Sequence, residues 1–436
     1  MLLPAALFAQ SPTPNDEMMR VVLERLDHLE RQNQELIQEV TSLRKQIESN
    51  SKIETAPAAE SNENLAQRVD VNERRVEEQA QSKVEASQKF PISLTGLVLF
   101  NAFANGGAAP PFSPGDPDRF GATFRQTILG FDFHGPDLPG GGKASGELRL
   151  DLSGSEGVYG NDYGVSLRRA VINLDWPRRS VTFGQDKPLI SAREPDSLAE
   201  VLIPPLAYAG NPWLWLPQVR YTERFGLGET SGVNLQASVL ETNEDAAYPP
   251  NVPTYNLEPS RPALEIRSEF WTDWNGESRL EVAPGFHAST THIAGYSVPS
   301  RFGSFDWRFK LSNRIELKGL VFGGQNMAML GGFSNGFSVR PWEEPQAVRG
   351  IGGWSQVAVH ITPRLTWNTF AGTQASRVSD LNPGALTHDF TYASNLMYRL
   401  APNILVGFEA LQNRAGYLTE APAIRNHYDV ALGYLF

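Results

Sequence analysis

From residue 91 to the end of the chain, apolar and polar positions alternate with a period of two. That is the repeat of a β-strand, whose successive side chains point to opposite faces. The stretch 143–154 shows it best. Ala144, Gly146, Leu148, Leu150 and Leu152 fall on one face, and Lys143, Ser145, Glu147, Arg149, Asp151 and Ser153 on the other. Sixteen such stretches can be read, roughly at 92–103, 122–134, 143–154, 165–176, 179–187, 216–226, 232–241, 263–274, 278–289, 304–312, 314–324, 352–361, 364–376, 389–399, 403–414 and 427–436. Short turns marked by Pro, Asn or Gly separate them, as at Trp176-Pro177-Arg178-Arg179, Asn275-Gly276, Thr362-Pro363 and Ala401-Pro402-Asn403. They alternate with long Gly/Pro-rich loops at 104–121, 188–215, 242–262 and 325–351. An even count returns both ends of this region to the short-turn rim.

Upstream the period becomes helical. Residues 15–49 hold a 3-4 spacing through nearly five heptads, with Met19, Leu26, Asn33, Val40 and Ile47 at a and Val22, Leu29, Leu36 and Leu43 at d. A lone helix cannot bury that seam, so the spacing predicts self-association. Asn33 fixes the register of a parallel bundle; Val40 and Ile47 above Leu favour two strands, so the heptads alone do not give three. Ala56-Pro57-Ala58-Ala59 ends this helix. A weaker one follows from about 64 to 87, where Asn72 and Gln79 interrupt Leu65, Val69, Val76 and Val84. The opening MLLPAALFAQ reads as the tail of a secretory signal, with Leu7-Phe8-Ala9 before Gln10. Of the 44 aromatic residues only Phe8 and Phe90 precede residue 91, which places the main boundary there. The expected organisation is a signal remnant at 1–9, a coiled coil at 10–50, a polar, partly helical linker at 51–90 and a barrel at 91–436. The fold class is mainly β: a closed antiparallel 16-stranded transmembrane β-barrel behind an N-terminal α-helical coiled coil.

Composition narrows the chemistry. The absence of Cys excludes a disulfide framework, a thiolate metal site and a Cys nucleophile. A net charge of −11 argues against a nucleic-acid partner. No run approaches the ~18 apolar residues of a membrane-spanning helix, which leaves a closed barrel as the way to cross a bilayer. None of the seven His has metal or hydrolase spacing; His287 and His292 are the closest pair. No cofactor, metal or catalytic residue is expected.

A soluble sandwich would alternate in the same way. Three features favour the membrane: charged faces on many strands, aromatics near strand ends (Trp176, Trp271, Trp274, Tyr398, Phe436), and the last strand. That strand puts Tyr428, Val430, Leu432, Tyr434 and Phe436 on one face and ends on the aromatic itself. With Tyr434 and Phe436 it resembles the terminal signal read by the barrel-assembly machinery. In a barrel the charged faces meet lumenal water. The candidate lining is Glu147, Arg149, Asp151, Arg169, Arg220, Arg224, Glu265, Arg267, Arg308 and Lys310. Guanidinium forks take carboxylates bidentately, so this set would favour anions unless Glu147, Asp151, Glu265 and Glu269 neutralise it.

A heptad helix, a polar linker and a barrel opening Ile92-Ser93-Leu94-Thr95-Gly96-Leu97-Val98-Leu99-Phe100 together resemble the DcaP-type porin family, as do Gly184-Gln185-Asp186 after the fifth strand and the terminal Phe436. Asn101 stands near a place where the family often has an acidic residue. The resemblance implies a homotrimer, a bacterial outer-membrane location with the coiled coil in the periplasm, and passive diffusion of small, carboxylate-type solutes. In sixteen-stranded porins the loop after the fifth strand folds inward. Here it is about 29 residues long, and Arg193, Glu194 and Asp196 are expected at a constriction, its acids facing the arginine wall. Expected partners are other copies of the chain, outer-membrane lipids, the assembly machinery and peptidoglycan. The alternatives are a structural tether to peptidoglycan through the coiled coil and, further off, a barrel hydrolase.

Overall fold

The computed structural model describes residues 92–107, 119–154, 163–199, 204–207, 209–243, 262–274, 276–331, 333–340 and 343–436. The signal remnant, the coiled-coil seam and the linker lie outside the described residues.

Sixteen antiparallel strands form one closed sheet in sequence order. They are β1 (Ile92–Gly107), β2 (Arg119–Thr123 continued by Ile128–Leu138), β3 (Gly142–Asp151), β4 (Ser166–Asp175), β5 (Arg179–Asp186), β6 (Leu216–Gly226), β7 (Ser231–Leu240), β8 (Ala263–Trp274), β9 (Ser278–Ile293), β10 (Tyr296–Lys310), β11 (Ile315–Gln325), β12 (Arg349–Thr362), β13 (Leu365–Ser376), β14 (Leu386–Ala401), β15 (Ile404–Tyr417) and β16 (Ala423–Leu435). Closure is direct: β1 pairs with β16 from Leu97 opposite Leu435 to Gly107 opposite Arg425. The Gly96 and Phe436 backbones exchange two further hydrogen bonds, of 2.9 and 3.1 Å. A closed ladder leaves no strand edge unpaired.

All sixteen predicted stretches are strands, with two local differences. The segment 290–303, expected to connect two strands, instead extends both. β9 and β10 meet in a two-residue hairpin at Ala294-Gly295, whose φ values of 50° and 80° suit a type I′ turn. The second strand is broken at 124–127, where Arg125, Gln126 and Thr127 are buried. Its two halves pair with the two halves of β1.

The period of two separates the faces as expected. Leu264, Ile266, Phe305, Val321, Phe408, Tyr428 and Leu432 stand exposed on the outside. Inside, however, the wall is not uniformly polar. Phe302, Leu320, Phe322, Trp354 and Phe370 are buried on the inner face of β10–β13. They pack with Ile190, Leu206, Leu330 and Phe337 from the loops 187–215 and 326–348. Apolar residues that point inward are covered by chain rather than by water.

Deleting Phe436 removes the hydrogen bonds that extend the closing seam, each worth roughly 1 kcal/mol net. The truncated protein should give a smaller fraction of compact, heat-modifiable barrel on semi-native gels after folding into detergent; wild-type yield would contradict this.

Candidate functional site

The described residues of the connection 187–215 lie inside the barrel and run round its wall from β8 to β1. At its start the Leu189 N–H donates to Glu265 Oε2 on β8 (2.7 Å). Arg193 then enters a nest of carboxylates. Its Nε donates to Asp306 Oδ1 on β10 (2.8 Å), and its Nη2 lies 2.9 Å from Glu281 on β9 and 3.4 Å from Glu269 on β8. Asp196 crosses to β11 and β12, where it takes Lys318 Nζ and Gln356 Nε2, each at 2.6 Å. The Asp196 N–H donates back to Gln356 Oε1 (2.7 Å), and Asn395 Nδ2 on β14 donates to the Asp196 carbonyl (2.8 Å). Ser197 Oγ donates to Glu409 Oε2 on β15 (2.5 Å). Finally Asn101 Nδ2 on β1 donates to the Leu198 carbonyl (2.6 Å) and to Asp429 Oδ1 on β16 (2.9 Å). A carboxylate in place of Asn101 could not donate and would stand beside Asp429.

Apolar burial fixes the return path. Ile190, Leu206 and Ala209 sit in the inner cluster, and a fully buried aliphatic side chain contributes roughly 1.5–3 kcal/mol. The approach is close enough to require glycine on both sides. A Cβ on Gly372 of β13 would stand 2.2 Å from the Ala209 carbonyl, and one on Gly210 would meet the Gly353 and Thr373 carbonyls at 2.4 Å. Trp213 and Leu214 N–H groups then donate to the Leu330 carbonyl of the loop 326–348 (3.1 and 3.3 Å).

The expected residues fall on the inner face, but not all meet open lumen. Glu265 is 0% exposed under the loop, bonded to Leu189 and to His287 Nδ1 (3.0 Å). Arg267 is buried too, held by Asp306 through Nε and Nη2 (both 2.8 Å) and by Glu269 (2.7 Å). Asp151 is buried against Arg168. These three brace the wall instead of lining a channel, because the loop and neighbouring strands cover them.

The other arginines are matched by carboxylates. Arg149 pairs with Asp132 (2.7 Å) and Glu147 (3.1 Å), Arg169 with Glu147 and Asp186, Arg220 with Asp186 (3.5 Å), and Arg224 with Asp175 near the short-turn rim (2.8 Å). The loop's polarity also differs from expectation. Among the described residues its acids do not face bare arginines: Arg193 sits among wall carboxylates, Glu194 pairs with Lys187 of the loop itself, and Asp196 meets a wall cation, Lys318.

An open polar cavity of about 590 Å³ lies between the loop and β10–β14. Arg193, Glu194 and Asp196 border it on one side, and Arg308, Glu316, Lys318 and Asn368 on the other. Arg308 keeps 41% of its side chain exposed there while one Nη reaches Glu316 (2.8 Å). Lys310, two residues along the same face, makes no ion pair with any described residue.

Several residues of the site escaped the sequence reading. Arg168 is one. A bulge between β3 and β4 lets both Arg168 and Arg169 face inward, and an Arg-Arg doublet within an alternating strand was the available signal. Asn101, Asp306, Lys318, Gln356, Asn395 and Glu409 were invisible as a set because the loop path brings them together. Ser289 Oγ, His287 Nε2 and Nδ1, and Glu265 stand in line, each step 3.0 Å, but Ser289 Oγ also lies 3.2 Å from Met329 Sδ and Glu265 takes a loop N–H. The arrangement ties loops to the wall. Among the described residues no group of three or more His, Asp or Glu could hold a metal ion.

No family model matches the chain, and no curated protein does. Solved structures do. The outer membrane channel DcaP of Acinetobacter baumannii is similar with a TM-score of 0.63 at 20% identity, over 79% of this chain and 97% of that one. A high-pH structure of OprB from Pseudomonas putida is similar with a TM-score of 0.50 at 11% identity, over 82% of this chain and 97% of that one. The chain therefore has the sixteen-stranded barrel fold of the DcaP channel.

At the long-loop rim, Arg349 clasps Asp380 through Nε and Nη2 (2.7 Å each) and its own N–H (3.2 Å). These bonds hold the Asp380 carboxyl down at about 2, below its ordinary value near 4. A depressed carboxyl contributes stability above its unfolded value and loses it as pH falls towards the folded one. Pepsin should therefore begin to cut the loop 377–385 of the wild type only as pH drops from about 4 to about 2, and should cut Asp380→Asn already at about pH 4. Equal cutting of the two at pH 4 would remove the clasp from consideration.

Proposed function

We propose that the chain is an outer-membrane porin, giving passive diffusion to small hydrophilic solutes through the lumen beside the loop 187–215. The observation that carries this reading is the loop itself, a segment pinned across the inner wall from Glu265 to Asn101 and bordered by a charged, water-accessible cavity. A plug meant only to seal the barrel would not need exposed ions along one flank. The outward apolar face meets lipid, which a barrel can do because its backbone polar groups are satisfied between strands. The long-loop rim is the external one, and the short-turn rim with both barrel ends is periplasmic. The likeness to the DcaP channel supports this assignment at the level of fold. Assembly as a homotrimer through the upstream heptads belongs to the same reading.

Solute preference rests on fewer residues than the arginine count implies. Arg149, Arg169, Arg220, Arg224 and Arg267 spend their charge on neighbouring acids. The cations still offered to a solute are Arg308, which pairs with Glu316 through one nitrogen, and Lys310. A small carboxylate can lodge against these two, with Lys318 drawn away by Asp196. The preference for anions is accordingly modest.

Two measurements in planar bilayers test the reading. Deleting residues 195–210 should raise single-channel conductance severalfold, because it removes the part of the loop lying against β11–β15 and β1; an unchanged conductance means that the loop does not set the bore. The double variant Arg308→Gln, Lys310→Gln should move the reversal potential in a salt gradient towards cations. Should wild type and variant coincide, the carboxylate site lies elsewhere.

A further inference from the structure

The outward face of β10–β13 carries a feature that conduction does not use. At the long-loop end Arg301, Gln325 and Arg349 stand in register on three adjacent strands, and the Arg377 N–H donates to the Arg349 carbonyl on the fourth (2.8 Å). The four positions form one transverse row, and their side chains line a surface pocket of about 580 Å³. Asp380 holds the Arg349 guanidinium, whereas Arg301 and Arg377 carry no ion pair among the described residues. Across three strand spacings the row is about 14 Å wide.

Directly below the row the barrel surface is recessed. The next register row is Gly303, Gly323, Ile351 and Ala375, and the one below it brings Phe305, Val321, Gly353 and Thr373 together. Glycine and alanine lower the floor by the depth of a side chain, while Phe305, Ile351 and Phe390 stand up from it. The result is an open apolar groove of about 740 Å³ that shares Ile351 and Ala375 with the arginine pocket above. Ile351 is 66% exposed at the junction.

We propose that this face binds one phosphorylated, multiply acylated glycolipid of the lipid A class, its phosphates on the arginine row and its acyl chains in the groove. The occupant follows from charge and shape. Unpaired guanidiniums over an apolar trough call for an anion that continues into hydrocarbon. A row spanning four strands fits a headgroup with two separated phosphates and several chains better than the single phosphate of a two-chain phospholipid. The proposal rests on the porin reading only in taking the long-loop rim as the outer-leaflet side.

The test uses full-length protein purified in detergent and titrated, under native mass spectrometry, with bis-phosphorylated lipid A, its dephosphorylated form and phosphatidylglycerol. The wild type should retain lipid A, and Arg301→Gln with Arg377→Gln should bind it about tenfold more weakly, the size of one or two lost charge-assisted contacts. Removing the phosphates should weaken it similarly. Equal binding of the dephosphorylated lipid, equal binding of phosphatidylglycerol, or an unaltered variant would each overturn the proposal. A photo-crosslinking residue at position 351 in outer-membrane vesicles should yield a lipid adduct; a crosslink to a second copy of the chain would overturn it. Bilayer conductance of the double variant should match wild type, since neither residue faces the lumen. A wild type that binds the lipid without conducting would count against the channel reading alone.

Discussion

The barrel of the described residues depends on closing the backbone ladder. In hydrocarbon an unpaired N–H or C=O has no water to turn to, and each costs several kcal/mol. The pairing of β1 with β16 removes the two edges that an open sheet of sixteen strands would keep. Once closed, the sheet has only an outside and an inside. The strand period then assigns each residue to one or the other, and a slip of one position would turn Arg267 and Asp306 outward while drawing Ile266 and Phe305 inward.

The inside is divided again by height. Towards the long-loop end, β10–β13 present Phe302, Phe322, Trp354 and Phe370 to the lumen, which would be unfavourable against water. The loops 187–215 and 326–348 cover them. Lower down, charges face one another across the loop and along the wall. Charges buried this deeply are tolerated only when paired and hydrogen-bonded, which is why Arg193 and Arg267 share Asp306 and Glu269. Pairing that holds the loop also neutralises the field that unpaired arginines would have set up inside the barrel. A side chain that braces the loop is no longer an open charge, whereas Arg308, facing the cavity, stays partly exposed.

Most of the fold was legible in the sequence because a strand's alternation is local. Leu148 and Arg149 announce their faces with no knowledge of the neighbouring strand, and the Ala401-Pro402-Asn403 turn needs only its own residues. What stayed hidden was whatever depends on a distant partner. Ala294-Gly295 lacks the usual Asn or Asp of a tight hairpin, so 290–303 read as a connection. Arg168 and Arg169 broke the alternation, and the bulge that reconciles them shows only when β3 is placed alongside. Above all, the loop's inward path was expected from its place after the fifth strand and the porin resemblance, but its electrostatic sign was not. Arg193 among three carboxylates is a consequence of the path, and nothing within 188–216 specifies it.

The same four strands, β10 to β13, illustrate how much one sheet can carry. Their inner face docks the loop through Trp354 and Phe370 and, lower down, borders the cavity with Arg308 and Lys318. Their outer face is recessed by Gly303, Gly323 and Gly353. The two demands meet at single positions. Gly353 lies under the outward groove by its missing Cβ, yet its carbonyl is approached by Gly210 of the inner loop. A side chain on Gly353 would crowd the Leu320 carbonyl at 2.5 Å and the Val321 side chain at 2.9 Å, so this thin stretch cannot be rebuilt from one side without cost to the other. A wall one residue thick couples what touches its two faces, and here those faces are the inner loop and the outward groove.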